Sequence, residues 1–206
     1  VVTEERLFKA RYNMISTYKN GYAYIYGYSN TEMGAEGPLL RSEAAVMVHR
    51  LVKQNNERGD FVYDPANPSF TDIAGEWFQC GIEFIHYKGG ISATEGTNVN
   101  PYAQITRGEV FKIVALGLGF TDDKTLTYDG YGEILAGYGY IIGSSGNGNL
   151  DCDSYMTRAE FCTMYNRIIG RSTALLVDAN GNQITAETYG FTDLNPEAWY
   201  YEDMLR

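Results

Sequence analysis

Three short turns of related sequence constrain this chain more than any other feature. They are Ile105-Thr106-Arg107-Gly108-Glu109, Met156-Thr157-Arg158-Ala159-Glu160 and, in weaker form, Leu40-Arg41-Ser42-Glu43. Each opens an apolar stretch with helical spacing. Val46, Val48 and Leu51 carry the first, Phe111, Ile113, Val114 and Leu118 the second, and Phe161, Met164, Tyr165, Ile168 and Ile169 the third. Threonine followed three residues later by glutamate is a capping box: the hydroxyl accepts from the glutamate N–H, and the carboxylate accepts from the threonine N–H. Losing such a cap costs about 1 kcal/mol, so the copy with Leu40 in the threonine's place is expected to start its helix less firmly. The cap accounts for Thr and Glu but not for the arginine between them. A cation in a first helical turn opposes the helix dipole, so its recurrence points to another job.

The turns belong to a longer repeat. Phe70-Thr71-Asp72 falls on Phe120-Thr121-Asp122, Phe84-Ile85 on Ile134-Leu135, and Gly89 on Gly139. The first copy matches more distantly, with Trp77 on Phe8, Phe84 on Ile15 and Tyr87-Lys88-Gly89-Gly90 on Tyr18-Lys19-Asn20-Gly21. One unit reads as a Phe-x-Asp lead-in, a helix, a glycine-rich loop, the Thr-Arg-x-Glu turn and a second helix. The expected boundaries are 1–54 for repeat 1, which lacks its lead-in, 70–118 for repeat 2 and 119–171 for repeat 3. Residues 191–206, with Phe191-Thr192-Asp193-Leu194, Trp199 and Met204-Leu205, supply a lead-in and first helix without a second. They are expected either to pack beside the first unit and close a pseudo-threefold ring, or to begin a further repeat. The chain begins at Val1 in mid-pattern, which reads as a trimmed piece of a longer export product.

Two inserts interrupt the spacing. Residues 53–69 are polar with Pro65 and Pro68 and read as a surface linker. Within 172–190, Asn180-Gly181 lies between Leu175-Leu176-Val177 and Gln183-Ile184-Thr185, a β-hairpin signal. Asp178, Asn180 and Asn182 alternate as in a calcium loop, but the sixth-place glycine is missing and Tyr189 stands where the bidentate acid belongs. No metal site is expected.

Composition narrows the function classes. The chain has 16 Lys+Arg against 26 Asp+Glu, a formal net charge of −10. That argues against nucleic acid, where a basic face supplies most of the affinity. Any anionic partner must be caught by local arginines against a repelling field. The 18 Tyr and 23 Gly suit loops that present ring faces to sugars, although most tyrosines simply pack with the hydroxyl outward. Cys80, Cys152 and Cys162 have no metal-ligand spacing and imply no disulfide framework; Cys80 and Cys162 read as buried thiols. The sequence contains no apolar run of membrane-spanning length, so no membrane insertion is expected.

A unit of Phe-x-Asp-aliphatic, tryptophan, a Gly-Ile pair, a proline-bearing loop and Ile-Thr-Arg-Ala-Glu resembles the S-layer homology domain. In the second copy these are Phe70-Thr71-Asp72-Ile73, Trp77, Gly90-Ile91, Pro101 and Ile105 to Glu109. The third lacks the tryptophan and the loop proline, and the first departs most at its motif turn. The resemblance implies a mainly α fold of three helix-loop-helix repeats in a three-pronged spindle. It further implies an extracellular module that anchors an exported protein to the bacterial cell wall. The partner would be a secondary cell-wall polysaccharide, often pyruvylated, or another peptidoglycan-linked glycan, bound in grooves between repeats without a cofactor. By position, the implied groove residues are Arg41, Arg107 and Arg158; Asp72, Asp122 and Asp193; Trp77 and Trp199; and Gly90.

The residues read on their own allow this chemistry and a plainer one. A guanidinium beside free N–H groups at a helix N-terminus could seat a carboxylate, and an indole face could stack on a sugar ring. Equally, each aspartate could cap the helix that follows it, each tryptophan could anchor the core, and each arginine could bridge a carboxylate of a neighbouring unit. His49 and His86 lie in helical stretches without catalytic spacing and read as half-buried spacers, so no enzyme is expected. A wall-active hydrolase using paired carboxylates and a self-associating scaffold are the competing classes.

Overall fold

In a computed structural model, residues 25, 27–54, 60–143, 148–170 and 180–205 are described. The chain is mainly helical. The three motif turns open α1 (Arg41–Gln54), α3 (Arg107–Gly117) and α5 (Arg158–Ile169). Between them run α2 (Gln79–Lys88), preceded by a 3₁₀ turn at Thr71–Ile73, and α4 (Tyr128–Gly137). Two short helices follow, α6 (Ala186–Tyr189) and α7 (Tyr201–Leu205). The expected first helix around Leu7, Phe8 and Ile15 lies outside the described residues, as does the 175–177 arm of the expected hairpin. The other part of that insert holds a bend at Gly181 and the single turn of α6.

Both threonine copies form the complete capping box. Thr106 Oγ1 accepts from Glu109 N at 3.3 Å and Glu109 accepts from Thr106 N at 3.0 Å; for Thr157 and Glu160 the distances are 3.2 and 2.8 Å. At Leu40 only half survives, the N–H donating to Glu43 Oε2 at 2.9 Å. The helices behind these caps are buried on most of their surface. Ala44, Ala45, Val48 and Leu51 of α1, Val110, Phe111 and Val114 of α3, and Phe161, Cys162, Tyr165 and Ile168 of α5 form one core. Fully burying the valine, leucine, isoleucine and phenylalanine side chains among them contributes about 1.5–3 kcal/mol each, and this drive, rather than helix propensity, sets the arrangement. α1 packs against α2 and α3, α3 against α2 and α4, and α5 against α7.

The three motif turns meet in a closed cycle. Leu39 N donates to Met156 O at 2.9 Å, Met156 N to Ile105 O at 3.1 Å, and Ile105 N to Leu39 O at 3.0 Å. All three side chains are buried. The first two N–H groups of each motif helix, which have no partner within the helix, donate to the loop before the next turn in the cycle. Arg41 and Ser42 reach Ala103 and Pro101, Arg107 and Gly108 reach Ser154 and Cys152, and Arg158 and Ala159 reach Gly37 and Ala35. The N–H groups expected to be open for a ligand are therefore occupied by loop carbonyls.

A second device fixes two of the loops. Gly34, Asn100 and Asp151 occupy matched places and all take positive φ, 69°, 52° and 49°. Asp72 accepts from Val99 N at 3.0 Å and from Asn100 N at 2.8 Å. Asp193 accepts from Met33 N at 2.9 Å and from Gly34 N at 2.7 Å. The preceding residues follow suit, Thr71 N donating to Thr97 O and Thr192 N to Thr31 O. Residues 191–193 thus hold the 31–34 loop as residues 70–72 hold the 97–100 loop.

Candidate functional site

The motif arginines lie at the junctions of this cycle. Each guanidinium reaches the capping glutamate of the next turn: Arg41 to Glu109, Arg107 to Glu160 (2.7 Å) and Arg158 to Glu43. Each Nε also donates to a loop carbonyl, at Val99, Leu150 and Met33 respectively. Every glutamate divides its carboxylate, one oxygen closing its own helix cap and the other receiving the foreign arginine. The arginines are buried, Arg158 to 2 % exposure. Of the two jobs open to them, the bridging one is visible in the geometry. A pair this dry depends on its full hydrogen-bond set, because two buried charges repay their desolvation only when well partnered.

Among the described residues, the Arg107–Glu160 and Arg158–Glu43 junctions open into grooves of about 330 and 310 Å³. Six positions of one wall match six of the other. One has Arg158, Glu43, Val46, Met47, Arg50 and Trp77. The other has Arg107, Glu160, Thr163, Met164, Arg167 and Trp199. The tryptophans are 62 % and 65 % exposed and meet their neighbours Phe78 and Tyr200 edge-on, so neither is a core anchor. An indole standing in water beside a buried ion pair is a platform for a ring-shaped ligand with polar edges.

The Arg158 groove has a further aromatic. The Tyr28 ring lies over its guanidinium, with the Cζ atom 4.4 Å from the ring centroid, a cation–π contact. Burial and the Glu43 carboxylate push the Tyr28 hydroxyl above its ordinary range, against the opposing pull of Arg158. The ring is accommodated by Gly34, where a Cβ would come within 2.3 Å of Tyr28 Cε2.

The other expected site residues fall elsewhere. Asp72 and Asp193 spend both carboxylate oxygens on loop N–H groups rather than on helix caps. Asp122 is exposed. Gly90 is buried where a Cβ would stand 2.8 Å from Ile85 Cγ2 and 3.3 Å from Ile113 Cα, a packing position. Arg50 and Arg167 were not expected. Each lies about two helical turns beyond the capping glutamate, on the same helix face, a periodicity the sequence does carry.

Other reactive groups have structural partners. His49 is buried against Phe84, 3.9 Å from the half-buried Cys80 thiol, and His86 Nδ1 lies 3.1 Å from Ile91 O. Cys162 is buried. Burial and a hydrogen bond to Asp129 push the Cys152 thiol up to about 12, so it is protonated at neutral pH and no nucleophile there. Among the described residues no cluster of three His, Cys, Asp or Glu side chains could hold a metal ion, and no helix is long and apolar enough to cross a membrane. No protein-family model matches the chain, and no curated protein matches it in sequence.

Proposed function

We propose that this chain is a non-enzymatic, extracellular wall-binding module of the S-layer homology type, which anchors an exported protein through an acidic secondary cell-wall polysaccharide. On this reading its three repeats form a pseudo-threefold spindle, and residues 191–205 complete the first repeat. The carrying observation is the recurrence of one constellation in two grooves: an arginine–glutamate bridge beside a solvent-exposed tryptophan. The cyclic bridges and the matched Asp72 and Asp193 contacts support the threefold part of the reading.

The chain contains 2 tryptophans, one in each groove, so indole emission reports on both sites without a label. Co-sedimentation with purified Gram-positive walls, before and after acid extraction of their secondary polymers, tests the reading. The protein is expected to pellet with intact walls only, and the extracted polymer to shift the indole emission. A protein that stays in solution with intact walls and shows no emission change overturns it. Exposed aromatic rings also suit protein contacts. The competing scaffold reading therefore predicts concentration-dependent self-association, by sedimentation velocity, that the polymer does not alter.

A further inference from the structure

We infer that Arg50 and Arg167, not the motif arginines, recognise the acidic group of the ligand, one in each groove. This rests on the wall-polymer reading above and names the contact that gives it charge selectivity.

The motif arginines are poorly placed for the task. Arg158 and Arg107 lie buried at the groove floor, bonded at once to a glutamate and to a loop carbonyl. Their charge is matched by Glu43 and Glu160, so each floor presents an ion pair and not a net cation. The chain carries a formal charge of −10. An acidic polymer approaching it is repelled at long range and needs a cation at the groove itself.

Arg50 and Arg167 meet that need by position. They occupy the same place in α1 and α5, and each lines the same groove as an exposed tryptophan. Arg50 is half-buried and Arg167 exposed, so both carry their charge nearer to water than the motif arginines do. Arg167 donates from Nη1 to Tyr140 O at 3.3 Å, which ties the side chain to the groove wall. A guanidinium presents its donors as a flat fork suited to a carboxylate. An arginine and an indole lining one groove together with Met47 or Met164 would hold a carboxylated sugar by its acid and its ring face together.

The third junction lacks the pair. At the Arg41–Glu109 bridge the corresponding helix position is the buried Leu116, with half-buried Lys112 one turn earlier, and no tryptophan stands near in sequence. The inference therefore assigns two acid-reading grooves to each chain. A polymer with repeated acidic groups would engage both and gain avidity from their linkage.

The test is a titration of the whole chain, followed by indole emission and by calorimetry. The probes are wall polymer released by acid from Gram-positive walls and the same polymer after chemical reduction of its carboxyl groups. The wild type is expected to bind the native polymer roughly tenfold more tightly than the reduced one, as for loss of one charge-assisted contact. The Arg50→Gln, Arg167→Gln variant should lose that preference and bind both polymers as the wild type binds the reduced one. The Trp77→Ala, Trp199→Ala variant, followed by calorimetry, should lose affinity for both polymers. If the glutamine pair does not fold, the single Arg167→Gln variant is read instead, and one of its two grooves should bind a short native fragment roughly tenfold more weakly than the other. Native-polymer binding that survives undiminished in the glutamine variants overturns the inference and leaves the wall reading standing. A wild type that binds neither polymer overturns both.

Discussion

Arg158 shows what a residue can disclose from its own sequence position and what it cannot. Its presence in a first helical turn is locally unfavourable, and that conflict announced a role beyond the helix. The partner was invisible, because Glu43 lies 115 residues away and one acidic side chain looks like another in sequence. The same blindness hid the exposure of Trp77 and Trp199, since burial depends on which neighbours a fold supplies. Removing one member of a buried pair strands the other in a dry site, and such losses run to about 3–5 kcal/mol. The partners are unequally dry, with Glu43 14 % exposed against 24 % for Glu109 and 28 % for Glu160. Arg158→Ala should therefore destabilise the chain by about 3 kcal/mol, and Arg41→Ala and Arg107→Ala by less. Urea unfolding of the three variants would rank them, and equal losses would refute the argument from burial. The motif arginines are accordingly poor subjects for a binding test, since their removal disturbs the fold first.

At the scale of elements, the helices were the most legible part. Periodic apolar residues and capping boxes marked α3 and α5, and the half cap at Leu40 behaves as its missing hydroxyl implies. The Phe-Thr-Asp lead-ins were visible as repeats, yet the work of the aspartate was not. An aspartate just ahead of a helix ordinarily reads as a cap, whereas Asp72 and Asp193 reach across to a loop whose backbone donors no local pattern reveals. Each carboxylate takes two N–H bonds, and charge-assisted bonds of this kind are about twice as strong as neutral ones. Asp193→Ala should therefore lower the melting temperature by an amount similar to Asp72→Ala, although Asp193 lies in the C-terminal segment. A thermal melt in which Asp193→Ala behaves as the wild type would mean that this segment is merely draped on the surface.

For the molecule as a whole, the closed cycle of Leu39, Ile105 and Met156 ties all three motif turns together, and each helix start depends on the loop of another turn. Such mutual dependence should leave no part able to unfold alone. Urea titrations followed by indole emission and by far-ultraviolet circular dichroism are expected to coincide in one transition; separated midpoints would show independently stable units. Repetition in the sequence gave the number of turns but not their order around the cycle, which is decided by contacts between distant residues. That distance also bears on how the molecule is made. The amides of Met33 and Gly34 are translated about 160 residues before the carboxylate that binds them. The 31–34 loop must wait with its donors in water while the intervening residues are translated, so the repeats cannot commit to their final form one by one. Closure of the 31–34 loop waits for Asp193, and the Arg107 groove likewise waits for the indole of Trp199, so a partner cannot be held there until that segment has been made.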